Sequence, residues 1–365
     1  MRVYRCFAGG TKHCVKEGLS MEKVQFGKTG LLVSKIAFGG IPIQRLSTAD
    51  AVDVVRGVIG LGVNFLDTAN GYSDSEEKIG LAIKGMPRDS LVIASKSGAR
   101  DKKTFLRQLD LSLRRLGVEY IDLYQLHNVA SPEVYDAAFG EGGAYEGLLE
   151  AVRAGKVRFP AFSSHSVPLA CRIMREHPFA AVQLPFNYVD DEAAKEAIPL
   201  ARELGMGFIA MKPFGGGLLS DANLSVKYLS QFDGVVPDPG IEKLSEMEEI
   251  VRIAESGEAL TAGDRAAIES AKAELGDRWC HRCDYCQPCP QNIRISSVLT
   301  VESTMKRMPI EQVLALGGRS MEAARECTEC RTCVARCPYN LNIPDLMKEK
   351  LVIWDRYLSE NQSNA

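Results

Sequence analysis

The sequence contains no run approaching the roughly 18 apolar residues that a membrane-spanning helix needs, so a membrane is not expected as a partner. It has no excess of basic charge. Against 47 Asp and Glu stand 44 Lys and Arg, a formal net charge of -3, so nucleic acid is not expected as a partner either. Residues 1–20 include Arg2, Arg5, Lys12, Lys16 and Gly9-Gly10 but no apolar stretch of roughly 7–15 residues, and so do not read as a secretory signal. They are expected to form a loose tail or to reflect a misassigned start, with Met21 opening the folded part. The reducing cytoplasm is the expected compartment. No G-x-G-x-x-G turn follows the first apolar run, so the dinucleotide fingerprint of an open sheet is missing. No flavin-binding pattern is visible, and no short repeat beyond two cysteine clusters.

What is present is an ordinary globular composition, 45% hydrophobic and 25% charged. The 365 residues accommodate one barrel of about 250 residues and a small second unit. From Val24 onward short apolar runs alternate with amphipathic stretches, the pattern of a parallel α/β protein. Strands are predicted at Val33–Phe38, Val63–Asp67, Leu91–Lys96, Ile121–Leu126, Val157–Ser163, Ala181–Leu184, Gly207–Met211 and, weakly, Val235–Val236. Helices are predicted at Ala51–Gly60 behind a cap at Ser47, from Ser75 to Lys84, and at Phe105–Leu116, Glu192–Leu204 and Leu244–Ala254. Ala130–Gly143 reads as a loop or broken helix. Eight strand–helix units favour a closed (β/α)8 TIM barrel.

Reactive residues of such barrels sit at the C-terminal ends of strands. Those ends carry Asp67, Lys96 and His127, and Tyr72 lies in the loop after Asp67. A strand-end Asp alone is more often a loop cap, and a lone Lys or His there is usually solvated. The four together form a coherent proton-transfer set. A phenol with a pKa of about 10 is a poor acid at neutral pH, and an ammonium beside it favours phenolate. Asp67 would hold Lys96 in place, and His127 would donate a hydrogen bond to a substrate oxygen.

These residues stand in Gly62-Val63-Asn64-Phe65-Leu66-Asp67-Thr68-Ala69, Tyr72, Ser75-Glu76, Ala94-Ser95-Lys96 and Ile121-Asp122-Leu123-Tyr124-Gln125-Leu126-His127. The segment from about residue 22 to 255 thereby resembles the aldo-keto reductase family. The resemblance implies a TIM barrel and a catalytic tetrad of Asp67, Tyr72, Lys96 and His127. It also implies hydride transfer between NAD(P)H and a small aldehyde or ketone. By the same resemblance Ser163, Ser164 and Gln183 would hold the nicotinamide carboxamide, with Asn187 nearby and Ser164 in place of the commoner Asn. Lys212, Pro213, Gly215, Gly216 and Gly217 would form a pyrophosphate loop, since glycines let backbone N–H groups approach phosphate. Met211 stands where many members stack an aromatic ring on the nicotinamide. Glu242 stands near the position of a basic residue for the 2′-phosphate of NADPH. A carboxylate there would repel that phosphate, so no strong preference for NADPH is expected.

The 11 cysteines are unevenly spread: Cys6, Cys14 and Cys171 are scattered and read as ordinary thiols, as do His13, His177 and His281 as ordinary imidazoles. The other eight lie in two runs, Cys280, Cys283, Cys286, Cys289-Pro290 and Cys327, Cys330, Cys333, Cys337-Pro338. The second matches the bacterial ferredoxin spacing for a [4Fe–4S] cluster, and the first is one residue shorter before its last cysteine. In two-cluster ferredoxins the fourth cysteine of each run serves the other cluster. That rule groups Cys280, Cys283, Cys286 and Cys337 around one cluster, and Cys327, Cys330, Cys333 and Cys289 around the other. Two structural zinc sites are the alternative. With the intervening helical stretch Ser296–Met308, the unit resembles a small, mainly α-helical two-cluster ferredoxin domain. Barrel and tail together resemble the iron–sulfur subgroup of aldo-keto reductases.

The expected organisation is a loose tail over 1–20, a barrel over 21–258, a connecting helix over 259–279, a dicluster domain over 280–350 and a C-terminal tail over 351–365. The leading expectation is an NAD(P)-dependent oxidoreductase acting on carbonyls. The clusters are structural, redox-sensing, or a port to a redox partner protein. The alternative is an iron–sulfur electron-transfer or redox-sensing protein whose barrel binds nicotinamide without carbonyl turnover.

Overall fold

The structure is a computed structural model that describes residues 4–6, 14–16 and 21–362. Eight parallel strands form one sheet in sequential order. They are β1 (Phe38–Gly39), β2 (Phe65–Asp67), β3 (Val92–Ser97), β4 (Ile121–Leu126), β5 (Val157–Ser163), β6 (Ala181–Pro185), β7 (Gly207–Met211) and β8 (Val235–Pro237). The sheet curls back on itself. Ala37 N–H donates to Pro237 O at 2.8 Å, Gly39 N–H donates to Pro239 O at 2.9 Å, and Gly39 bridges in parallel to Gly240. Glycine is required at that seam, because a Cβ on Gly39 would stand 2.6 Å from Asp238 O. The (β/α)8 barrel expected from the alternation is the fold observed.

The run Val33–Phe38, predicted as the first barrel strand, is divided. Leu32–Ser34 pairs antiparallel with Lys23–Gln25, and the chain joins the barrel only at Phe38. Burial explains the split. Phe26, Leu31, Val33 and Ala37 pack with the inward residues Phe65, Val92, Ala94, Leu123, Ala161, Ala181, Ile209 and Val236, so the hairpin fills the barrel's interior instead of extending its wall. The alternate residues Leu66, Ile93, Tyr124, Phe162, Val182, Phe208 and Val235 belong to the larger core beneath the helices. The two-residue period of a strand thus sets one inward file per strand.

The outer helices are α1 (Thr48–Gly60), α2 (Ser75–Ile83), α3 (Lys102–Leu116), α4 (Pro132–Phe139), α5 (Ala144–Arg153), α6 (Val167–Glu176), α7 (Ala197–Leu204), α8 (Ala222–Leu229) and α9 (Leu244–Ser256). Side-chain oxygens of Ser47, Asp101, Ser131 and Asp221 cap α1, α3, α4 and α8. The Ser131 cap and Pro132 start α4 inside the segment predicted as loop or broken helix. The predicted helix Glu192–Leu204 is a short 3-10 turn at Glu192–Ala194 followed by α7. Pro199 is tolerated only in a first turn, so the helix begins just before it.

The chain divides into two compact units, Met1–Phe214 with Leu219–Leu260, and Gly215–Leu218 with Thr261–Ala365. The second is helical: α10 (Ala262–Leu275), α11 (Ile295–Leu299), α12 (Val301–Met305), α13 (Ile310–Arg325), α14 (Thr332–Arg336) and α15 (Ile343–Gln362). Its core gathers Val298, Val301, Val313, Met321, Leu346, Met347 and Trp354. The tail predicted from 351 is, through Gln362, the second half of α15. Trp354 is 1% exposed, and burying that indole holds the helix in place. The predicted helical stretch Ser296–Met308 is broken at Thr300, whose hydroxyl donates back to Ser296 O. The segment expected as a loose N-terminal tail includes an antiparallel pair, Tyr4–Cys6 with Cys14–Lys16; the rest of residues 1–20 lies outside the described residues, as do 363–365. Among the described residues no helix is long and apolar enough to cross a membrane.

The hairpin offers a paired test. Gly27 (φ +54) and Gly30 (φ +76) are both left-handed, but a Cβ on Gly27 would meet Gly207 N at 2.5 Å, whereas nothing lies within 4 Å of one on Gly30. Gly30→Ala should cost only the left-handed strain, about 1–2 kcal/mol. Gly27→Ala should cost that plus a backbone shift and lower the thermal midpoint further. Equal midpoints would show that the hairpin does not seat against β7.

Candidate active site and cysteine cavities

The inward files of the strands change character toward their C-terminal ends. Two residues beyond the apolar positions Phe65, Ala94, Leu123, Ala161, Ala181, Ile209 and Val236 come Asp67, Lys96, Gln125, Ser163, Gln183, Met211 and Asp238. Strand register therefore gathers the polar groups at one end of the barrel. Asp67 and Lys96 are 3% and 2% exposed. Lys96 Nζ donates to Asp67 Oδ2 at 2.5 Å and to Thr68 O at 2.7 Å. Gln125 Nε2 donates to Asp67 Oδ1, and Gln183 Nε2 to Asp67 Oδ2, both at 3.3 Å. Burial by itself pushes the Lys96 pKa down, but the charges of Asp67 and Tyr72 outweigh it and the net shift is upward. Lys96 is therefore a firmly protonated ammonium.

That ammonium lies 5.4 Å from the centroid of the Tyr72 ring, and the His127 ring stands edge-on to the same ring at 5.8 Å. The Tyr72 loop is pinned by Thr68 and Ser75, whose hydroxyls are 2.9 Å apart, while Ser75 Oγ donates to Gly40 O at 2.7 Å. Asn70 N–H donates to Lys96 O, and Ser75 N–H to Tyr72 O. Burial, reinforced by the charges of Lys96, Arg100 and Lys212, pushes His127 down to about 3. It is a neutral imidazole, suited to donate a hydrogen bond and not to deliver a proton. The structure thus brings all four strand-end residues together.

The predicted nicotinamide residues fall on neighbouring strands. Ser163 Oγ accepts from Asn128 N–H at 2.9 Å and keeps its own proton to donate. Gln183 Oε1 is buried without a partner, an acceptor ready for an amide N–H. Together they fit a carboxamide. Ser164 Oγ donates to Ser166 O and accepts from Ser166 N–H, so its hydroxyl serves the turn that opens α6. Met211 is half-buried at the end of β7. Lys212 (φ +57) donates from Nζ to His165 Nε2 at 2.6 Å, and His165 Nδ1–H then faces Asn128 Oδ1 at 2.7 Å. Asn187 Nδ2 donates to Lys212 O. Lys212 and Pro213 belong to the barrel unit, but Gly215, Gly216 and Gly217 group with the helical one. There Ser303 Oγ donates to Gly216 O at 3.1 Å and Lys306 Nζ to Gly217 O at 3.0 Å. Glu242 pairs with Arg45 at 3.1 Å, and burial raises its pKa.

Sequence reasoning missed Gln125 and Asp238 as site residues. Asp238 is 7% exposed, and its Oδ2 accepts from Gln183 Nε2 at 2.6 Å. The signal was available: counting two residues past Leu123 and Val236 on each inward file reaches both.

In the helical unit, Cys280, Cys283, Cys286 and Cys337 line one cavity. Cys289, Cys327, Cys330 and Cys333 line another. Both are quartets that cross the two runs. Burial pushes Cys280 up to about 11 and Cys286 up to about 12, so neither ionises unless a cation holds it as thiolate. Among the described residues no three Cys, His, Asp or Glu side chains converge as one ion requires. Two cysteine quartets, each lining its own cavity, match the four-thiolate ligation of an iron–sulfur cube.

Residues 35–264 match the Aldo/keto reductase family. The chain belongs to that family. Residues 279–342 match the 4Fe-4S dicluster domain, so this aldo-keto reductase also carries an iron–sulfur domain. The chain is 31% identical over 215 residues to "Probable aldo-keto reductase 1" of Glycine max, a match spanning 54% of this chain and 60% of that protein. An aldo-keto reductase of Bacillus halodurans in its holo form superposes with a TM-score of 0.59 at 24% identity, covering 68% of this chain and 96% of the other. One from Klebsiella pneumoniae in complex with NADPH gives 0.59 at 20%, covering 69% and 95%. The family match sets the family, and the likeness to the solved structures shows the fold.

The crossed quartets make a direct prediction for anaerobically purified protein. Replacing Cys286 and Cys337 together by Ser touches one cavity and should leave about half the iron. Replacing Cys286 and Cys289, neighbours in sequence, touches both and should lose most of it. Iron and sulfide analysis showing the reverse would establish uncrossed ligation.

Proposed function

We propose that the barrel transfers a hydride between NAD(P)H and a small aldehyde or ketone, with Tyr72 exchanging the proton at the carbonyl oxygen. The observation that carries this reading is the buried Lys96 ammonium, held by Asp67 at 2.5 Å and set 5.4 Å from the Tyr72 ring centroid. When bound, a reduced nicotinamide supplies the hydride. Lys96 favours ionisation of the phenol, whose free pKa of about 10 would otherwise be too high. Asp67 fixes Lys96 and keeps it charged. His127, neutral and half-buried, donates a hydrogen bond to the carbonyl oxygen. Ser163 and Gln183 orient the carboxamide, and Lys212 supplies positive charge for the pyrophosphate. The quartets Cys280, Cys283, Cys286, Cys337 and Cys289, Cys327, Cys330, Cys333 each hold a [4Fe–4S] cluster. Cys330 is exposed, which offers a redox partner protein an edge at which to exchange electrons.

Two measurements test the barrel's part. Tyr72→Phe should lower carbonyl turnover by about 100-fold or more while nicotinamide binding, read by fluorescence titration, persists. Undiminished turnover would remove Tyr72 from the chemistry. Glu242, paired with Arg45, sets the second. The protein should bind NADPH no more than a few-fold tighter than NADH, and Glu242→Gln should shift the ratio toward NADPH by about tenfold, the worth of one unfavourable charge contact. A wild-type protein that strongly prefers NADPH would refute this role for Glu242.

A further inference from the structure

Asp238 has no part in the tetrad, yet it is a buried carboxyl at the centre of the site. It sits one residue past β8, and its N–H donates to Ala210 O. Its Oδ2 accepts from Gln183 Nε2 at 2.6 Å, and the same amide nitrogen lies 3.3 Å from Asp67 Oδ2. Its Oδ1 is buried and meets no donor. Gln183 Nε2 thus bridges the two carboxyls, which makes the Asp67 side chain the hydrogen-bonding neighbour that Asp238 faces. Two carboxylates cannot make that bond; one must carry a proton.

The surroundings decide which. Asp67 receives three donors, the Lys96 ammonium at 2.5 Å and the amides of Gln125 and Gln183. Asp238 receives only Gln183. The titratable groups that face it are Asp67 on β2 and Lys96 on β3, with Tyr72 beyond Lys96. β6 presents the neutral Gln183, and β1 only the backbone of Gly39.

We propose that Asp238 is a positioning residue that stands as a neutral carboxylic acid and donates a hydrogen bond to the Asp67 carboxylate. In this form it steers Asp67 toward Lys96 and leaves the ammonium facing one negative charge instead of two. An ionised Asp238 would draw on Lys96 and oppose formation of the Tyr72 phenolate. Burial first, and the Asp67 charge second, hold the carboxyl well above the ordinary carboxylate range. The catalytic consequence rests on the reading of the barrel as a carbonyl reductase; the protonation state does not.

The sign of the linkage is definite. Unfolded, Asp238 loses its proton near 3.9, while folded it keeps it to higher pH. Its favourable contribution is complete below the unfolded value and is lost as pH rises through the folded one. Asp238→Asn mimics the neutral acid, keeps a donor and an acceptor, and cannot ionise. It should abolish an infrared carbonyl band of a protonated carboxyl that wild-type protein shows at neutral pH. Its thermal midpoint should gain on wild type as pH rises. Turnover should lose its Asp238-dependent decline as pH rises through the folded value. Asp238→Leu, which offers Asp67 nothing, should lower turnover on the order of tenfold. A band unchanged in Asp238→Asn, or a midpoint difference independent of pH, overturns the proposal. If wild type shows the band but no carbonyl turnover, the reductase reading fails and the assignment of the proton stands.

Discussion

The ion pair between Lys96 and Asp67 is the constraint on which the barrel's upper layer depends. Both residues are almost wholly buried, 2% and 3% exposed, and each charge removed from water costs several kcal/mol unless it is paired and hydrogen-bonded. Every neighbour of the pair can be understood as meeting that cost. Thr68 offers a backbone carbonyl to the ammonium; Gln125 and Gln183 offer amide protons to the carboxylate. Thr68 also begins the loop whose Ser75 anchor fixes Tyr72. The loop that carries the phenol is therefore tied to the same strand end that holds the lysine. A structural ion pair could have been replaced by apolar residues without loss of stability. Here the pair stands beside a phenol, with a neutral imidazole edge-on to the same ring.

The helical unit solves a different problem with little apolar material. Several of its helices span only five residues, too short to be stable alone. Cys286 and Cys333 are themselves part of its core, beside Ile293, Ile295 and Met347. Thiolates bound to clusters would serve as cross-links between segments that are distant in sequence, since each quartet takes three cysteines from one run and one from the other. Metal ligation and folding are coupled in such units. The long α15, seated through Trp354, supplies the scaffold that the short helices lack.

Most of the architecture was legible because strand alternation and helix caps are local properties. Ile121–Leu126, Val157–Ser163 and Gly207–Met211 are strands over the same residues that their apolar runs mark. The first strand was not, because Val33 and Phe38 are both apolar and only the hairpin partner Lys23–Gln25 shows that Val33 turns into the interior. Asp67, Tyr72, Lys96 and His127 were legible because each stands at, or in the loop just beyond, the end of a recognisable strand. Asp238 was hidden because its strand is three residues long and its meaning depends on Asp67 and Gln183, which only barrel closure brings beside it. Ser164 was misleading in the opposite way. Its position matched a carboxamide contact, but a serine hydroxyl is short and finds Ser166 first.

The chain contains chemistry of two kinds that do not share a currency. Hydride transfer moves two electrons at once and needs a proton donor, which under the proposed function the Tyr72, Lys96 and Asp67 arrangement would supply without iron. Clusters move electrons singly and need no acid. The barrel end holds a neutral His127 and a protonated Lys96 paired with the Asp67 carboxyl. The quartets are arranged around cavities lined by thiols, isoleucine and proline, an environment that favours an iron–sulfur cube over a carbonyl. Neither site contains the groups that would let it perform the other's chemistry. On the proposed reading the barrel's own residues suffice for the hydride step, and the clusters would act outside it, in the stability of the helical unit or in exchange of single electrons at its exposed Cys330 edge.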